Sequence, residues 1–197
     1  MSSTDVFVEP PWQAPLHAEE AIARVPEDAT ISGMFLAPLV IEAKRHGITL
    51  PSARERYVPF KFYPLREHCR LLVETCERIF PDRPLLQGLR KLGRGAPAAL
   101  VASTLGRVVL GSAEGVDEVV SAMAKAYPLN ARPSHVTVLE TLPGRAVVRL
   151  EDIRYFVDSH HVGTFEGALK FAGVTGRVLI ASKSPTCADL LLEWTTS

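Results

Sequence analysis

The stretch His135-Val136-Thr137-Val138-Leu139-Glu140-Thr141-Leu142-Pro143-Gly144-Arg145-Ala146-Val147-Val148-Arg149-Leu150-Glu151-Asp152-Ile153 decides the fold. Upstream of Pro128 apolar residues recur at helical spacing. Here they alternate, which is the period of a strand with one face covered. Pro143-Gly144 breaks the alternation in the middle, and two turn residues between two alternating runs predict a β-hairpin. Tyr155 to Asp158 leads into a predicted helix from Ser159 to Phe171. Gly173 and Gly176 flank its exit turn. Arg177 to Ala181 and Leu190 to Thr195 then read as a closing pair of strands. The order is β-β-α-β-β in an antiparallel sheet.

Working outward toward the N-terminus, Pro64 to Phe80 is the plainest helix. Leu65, Cys69, Leu72, Cys76 and Ile79 form one apolar stripe, Pro64 suits the first position, and Pro81 stops it. Cys69 and Cys76 are two turns apart, about 10 Å by the helical rise, too far for a disulfide. Further helices are expected at Leu16 to Val25, at Gly33 to His46 with Thr30 as its cap, at Pro84 to Leu92, at Ala96 to Leu105 and at Val116 to Tyr127. Ser52 to Tyr57 adds another turn or two. Arg107 to Leu110 is a short β-branched, extended piece. The fold class is α+β: a helical N-terminal part packed on a small antiparallel sheet of ββαββ order. Residues 1–15, polar and Pro-rich, form a flexible arm, and residues 16–197 form one domain, helical over 16–127 and sheet over 128–197.

Composition narrows the function. The chain has 197 residues, 22 Lys plus Arg and 22 Asp plus Glu. Zero net charge argues against a nucleic-acid binder, which needs a basic footprint, and gives little attraction to anionic membranes. It leaves association unopposed, so a homodimer or a protein partner is expected. Three cysteines with no Cys-x-x-Cys pair fit a reducing, cytoplasmic setting. Met1 to Trp12 lacks a signal-peptide pattern. No apolar run approaches the ~18 residues of a membrane span.

Three stretches carry a family resemblance: Ser32-Gly33-Met34-Phe35; Gly88 to Arg94, followed by Thr104-Leu105-Gly106-Arg107; and Val162-Gly163-Thr164-Phe165-Glu166-Gly167-Ala168-Leu169 with a closing Leu192-Glu193-Trp194. They resemble a family of proteins of this length and of unknown function that is multiplied into paralogues in myxobacteria. The resemblance runs from about Thr30 to Trp194. The layout is similar, more distantly, to haem-nitric-oxide-binding and vinyl-reductase-like sensor domains, which implies a pocket between the helical and sheet parts. The Tyr-x-Ser-x-Arg run with which the haem sensors grip haem propionates is absent, and no proximal histidine can be assigned. The expectation is therefore no haem, no other cofactor and no metal.

Four residues stand out as ligand contacts: Phe35, Tyr155, His160 and His161. Adjacent histidines point about 100° apart on a helix, so they do not form a two-histidine metal site of i, i+4 type. Asp158 or Ser159 is expected to cap that helix. Gly163 and Gly167 form a Gly-x-x-x-Gly that lets the helix pack closely, on the sheet or on a second copy as an interface. Gly93-Arg94-Gly95 lacks the rest of a phosphate loop and reads as a helix break. His68 beside Cys69 is not a Cys-His nucleophile, because neighbours on a helix face apart. No catalytic constellation is present. The expected function is a non-enzymatic regulatory or sensory domain that binds a small, mostly apolar ligand or signals through protein contacts. The alternatives are a ligand-free dimerisation adaptor and, third, an enzyme.

Overall fold

The computed structural model describes residues 6–102, 104–111 and 113–195. Eight helices are described: α1 (Ala18–Ala23), α2 (Leu36–Arg45), α3 (Leu65–Ile79), α4 (Leu85–Gly93), α5 (Ala96–Ala102), α6 (Thr104–Leu110), α7 (Gly115–Asn130) and α8 (Val162–Phe171). Seven strands accompany them: β1 (Thr30–Ser32), β2 (Phe62–Pro64), β3 (Ala131–Arg132), β4 (His135–Leu142), β5 (Arg145–Glu151), β6 (Gly176–Ser184) and β7 (Cys187–Trp194).

The alternating stretch is the expected hairpin, β4–β5, with Val138 opposite Val148. The four-stranded antiparallel sheet has the order β4-β5-β7-β6, so ββαββ is the observed plan. Its inner face carries Ala146, Val148, Leu150, Val178, Ile180 and Leu190, all buried on Val162, Phe165 and Leu169 of α8 and on Val116 and Val120 of α7. The helical part has its own core, where Leu36 and Leu39 of α2 meet Leu65, Cys69 and Leu72 of α3. Met34, Leu100, Leu110, Met123 and Ala168 make a third cluster between the two.

The structure departs from the sequence reading in short pieces. Thr30 does not cap α2. It pairs with Pro64 and Arg132 in a second, three-stranded sheet of order β2-β1-β3, whose two- and three-residue strands are too short to show a period. Arg107 to Leu110 belongs to α6, not to an extended piece. Gly106 there abuts the Leu100 carbonyl, so packing overrides the β-branched preference. Helix α7 runs on through Pro128, and the Asn130 side chain donates to the Ala126 carbonyl at 2.8 Å.

The helix predicted from Ser159 opens earlier, as a five-residue π-turn over Val157–His161 that runs into α8. Neither Asp158 nor Ser159 caps it. Phe156 precedes it with a left-handed φ of 41°, a conformation costly for a bulky side chain. Such π-turns and strained residues gather at functional sites.

Helix α4 lies against the π-turn and α8 with almost no separation. A Cβ on Gly93 would stand 2.0 Å from the His160 carbonyl oxygen, and one on Gly163 would stand 2.0 Å from that of Arg90. Gly167 faces the Arg94 carbonyl in the same way. Gly163 and Gly167 are thus spent on an intramolecular contact. Close packing, one of the two roles expected for them from sequence, is made here on Arg90 of α4 and on Arg94 and Pro97 just after it. Glu166 closes the seam by accepting from the Arg90 guanidinium and, at 2.7 Å, from Arg94 Nε. The Arg90 guanidinium also lies 3.2 Å over the Trp12 ring. Nearby, Val8 pairs with Ile180 at the free edge of β6.

Candidate functional site

Where α2, α3, α5 and α7 face the π-turn, they leave a cavity of about 420 Å³. Phe35, Leu39, Leu72, Leu100 and Met123 supply apolar wall. Glu42, Arg45 and Lys91 are the charged residues lining it, and Arg45 and Lys91 are exposed. The four residues singled out from sequence, Phe35, Tyr155, His160 and His161, all line this one cavity. His68, Tyr127 and Thr164 join them.

The polar heart of the cavity is a cluster of rings. His68 stands edge-on to His160 and Tyr155, with centroids 6.1 and 5.6 Å apart. His160 and His161 are 5.3 Å apart, and Tyr155 lies 4.6 Å from His161. The π-turn has brought two sequence neighbours into one cavity wall. His68 comes from α3, and it was legible in principle: Leu65, His68 and Leu72 are spaced three and four apart, so this histidine sits on the apolar stripe.

All three imidazoles are buried, at 2 %, 7 % and 1 % relative exposure for His68, His160 and His161. Burial holds them neutral. It pushes His160 down to about 4 and drives His68 and His161 well below the ordinary histidine value, with the neighbouring imidazoles adding to the effect. Burial likewise pushes the Tyr127 and Tyr155 phenols up, so both stay protonated. Nδ1 of His68, Nδ1 of His160 and Nε2 of His161 are buried without a hydrogen-bond partner. A buried polar atom left unpaired costs about 1–3 kcal/mol, and three in one wall ask for a ligand. His161 Nδ1 does have a partner, the Tyr127 hydroxyl at 2.9 Å. The histidine–carboxylate pairs found among the described residues, His46–Glu42 and His135–Asp152, are at the surface and not in this cluster. The described residues contain no group of three or more His, Cys, Asp or Glu placed to hold a bare metal ion, and no described helix is long and apolar enough to cross a membrane.

Comparison with known proteins fits this architecture. The family model for a protein of unknown function, DUF2378, matches residues 24–195. No curated protein matches. Among solved structures, an H-NOX protein from S. oneidensis in the Fe(II) ligation state is 13% identical with a TM-score of 0.68, over 85% of this chain and 97% of that one. A mutant H-NOX from T. tengcongensis is 12% identical with a TM-score of 0.65, over 84% and 98%. An oxygen-binding H-NOX domain related to soluble guanylate cyclases, solved as its oxygen complex, is 14% identical with a TM-score of 0.60, over 83% and 93%. At these identities the likeness establishes the fold.

That fold corrects one expectation. The absence of a cofactor, haem included, was inferred from a missing motif, yet the structures that share the fold are H-NOX proteins described in Fe(II) and oxygen-bound states. The missing motif therefore does not exclude a haem. The cavity supplies what such a group needs in kind: apolar walls, neutral imidazoles with unpaired nitrogens, and the lining cations Arg45 and Lys91.

Proposed function

We propose that this chain, which belongs to the DUF2378 family of unknown function, is a sensory domain that binds one small, mostly apolar ligand in the cavity between its helical part and the π-turn. The observation that carries this reading is the set of three buried imidazoles with unpaired nitrogens in an apolar wall. A volume of about 420 Å³ lies within the roughly 300–1,000 Å³ of small-molecule sites.

The cavity suits regulation better than catalysis. Buried Cys69 and Cys76 are held as thiols, their pKa values driven up by burial. Among the described residues, the histidine–carboxylate pairs lie at the surface and not in the imidazole cluster, so no carboxylate orients these rings as a general base. A ligand would instead touch α2, α3, α5 and α7 on one side and the π-turn on the other. Binding would favour the arrangement in which these surfaces close on it, and the rigid α4–α8 seam would carry that preference to the sheet and to a protein partner.

Haem is one ligand of this class. Imidazoles of the π-turn or of α3 would hold its iron, and Arg45 and Lys91 are the cations available to its carboxylates. When bound, the iron supplies a place for a diatomic gas.

Native mass spectrometry and thermal-shift assays with hemin, long-chain acids and long-chain alcohols test the reading. Saturable one-to-one binding by at least one class is expected, and Ala126→Phe, which fills the cavity from α7, should abolish it. Absence of stoichiometric binding across the panel overturns the proposal.

A further inference from the structure

The nine-residue strand β6 is the outer strand of the four-stranded sheet, and its far edge meets the N-terminal arm. Val8 and Ile180 form an antiparallel pair with both backbone bonds made. Val8 N–H donates to the Ile180 carbonyl at 3.0 Å, and Ile180 N–H donates to the Val8 carbonyl at 2.9 Å. Backbone groups facing one edge recur at every second residue, so the same register would set Val6 opposite Ser182 and Pro10 opposite Val178. Pro10 has no N–H to give the Val178 carbonyl, so the ladder stops there. Among the described residues, Val8 is the one arm residue that pairs with β6. Trp12 is the second anchor. Its half-buried ring lies 3.2 Å from the Arg90 guanidinium, and Arg90 is held by Glu166 of α8. The arm is thus tied at one point to the sheet edge and at another to the α4–α8 seam. None of the described arm residues lines the cavity.

A bare strand edge is a template for any extended chain, and proteins shield such edges. This cover is a weak one: a single residue pair, ended by a proline. An extended segment with N–H groups at both flanking positions can make more bonds to β6 than the arm does. We propose that the outer edge of β6 is a strand-addition site for an extended, proline-free segment of a protein partner, and that residues 6–12 are its built-in competitor, latched by Trp12 on Arg90. Affinity comes from backbone pairing along Gly176–Ser184, in the way the arm already pairs at Ile180. A second copy is the poorer occupant. Pairing two β6 edges requires two arms to leave, whereas a partner's segment requires one. The latch also ties the edge to the seam, because Trp12 rests on the arginine that joins α4 to α8.

Amide exchange and peptide titration of the ¹⁵N-labelled full chain test it. Trp12→Ala should lower the protection of the Ile180 amide roughly tenfold, on the scale of a backbone hydrogen bond or two. Leu190, which pairs with Ile180 from β7, should keep its protection, which shows that the sheet is still folded. Val8→Pro removes the arm's donor and should expose Ile180 in the same way without touching Trp12. The probe is a synthetic peptide of residues 6–12 carrying Pro10→Val and Trp12→Ala, so that it can pair with the edge but cannot latch. It should shift the resonances of β6 and bind the Trp12→Ala chain several-fold tighter than the wild-type chain. The same peptide with Pro10 kept should bind more weakly. Ile180 protection unchanged in both variants shows that the arm is no latch and overturns the proposal. So does a peptide that fails to bind the unlatched chain at β6, or an unlatched chain that pairs β6 with a second copy instead.

Discussion

At the scale of single residues, the account turns on groups held in unusual states by burial. The imidazoles of His68, His160 and His161 are neutral in the folded chain and ordinary histidines in the unfolded one. Their folded pKa values lie below the unfolded value of 6.5. Between the two, the unfolded chain binds more protons, so their effect on stability is absent above pH 6.5 and grows as pH falls toward about 4, the value for His160. All three act in the same direction, each by at most one proton's worth of linkage. Urea midpoints of the ligand-free protein should therefore drop steeply from pH 6.5 to 5, and His160→Phe should make the slope shallower. An unchanged midpoint over that range contradicts neutral burial. The glycine seam makes a second demand: Gly163→Ala places a methyl against the Arg90 carbonyl, and overpacking of this kind costs about 1–3 kcal/mol, readable as a lower melting temperature. Some of this was legible. The pair His160-His161 and Tyr155 stood out in sequence and do share one cavity, and His68 sat on an apolar stripe. That the pair would share a wall was not legible, since an α-helix would have splayed them and a five-residue π-turn leaves no mark on the period.

At the scale of elements, α4 and α8 behave as one unit. Glycines bring their backbones together, and Glu166 ties both Arg90 and Arg94. Side chains of Arg90 and Glu166 are only 12% and 11% exposed, so removing the carboxylate strands a cation in a dry seam. Glu166→Ala should cost about 3 kcal/mol, measured by chemical denaturation, and should increase amide exchange in α4 and the π-turn before the sheet. Equal exchange across the chain would show that the seam is not a unit. Long elements were legible because a stripe or an alternation repeats over many residues: α3 and the β4–β5 hairpin were read within a residue or two. Strands of two or three residues, β1 to β3, carry no period, and Gly106 packing on the Leu100 carbonyl turned a β-branched run into helix.

At the scale of the molecule, two unlike parts meet around a hollow. The α+β plan and its division into helices followed by ββαββ were written in the change of period at Pro128. The hollow was not, because a void is the absence of side chains, and no spacing along the chain encodes where side chains from four helices fail to meet. Its chemistry was half legible, in the aromatics and histidines that border it. Filling it with Ala126→Phe should leave the sheet and the melting temperature close to wild type while removing ligand-induced stabilisation. Ala126 packs in the third core cluster as well as lining the cavity, so a folded Ala126→Phe variant that still gains stability from ligand would contradict the cavity as the site. The most direct test follows the six imidazoles at once, by ¹H–¹⁵N spectra recorded during a hemin titration. The account predicts that resonances of the buried His68, His160 and His161 broaden or shift at one equivalent while those of the exposed His17, His46 and His135 stay in place. Buried imidazoles that ignore the ligand, or all six responding alike, would contradict it.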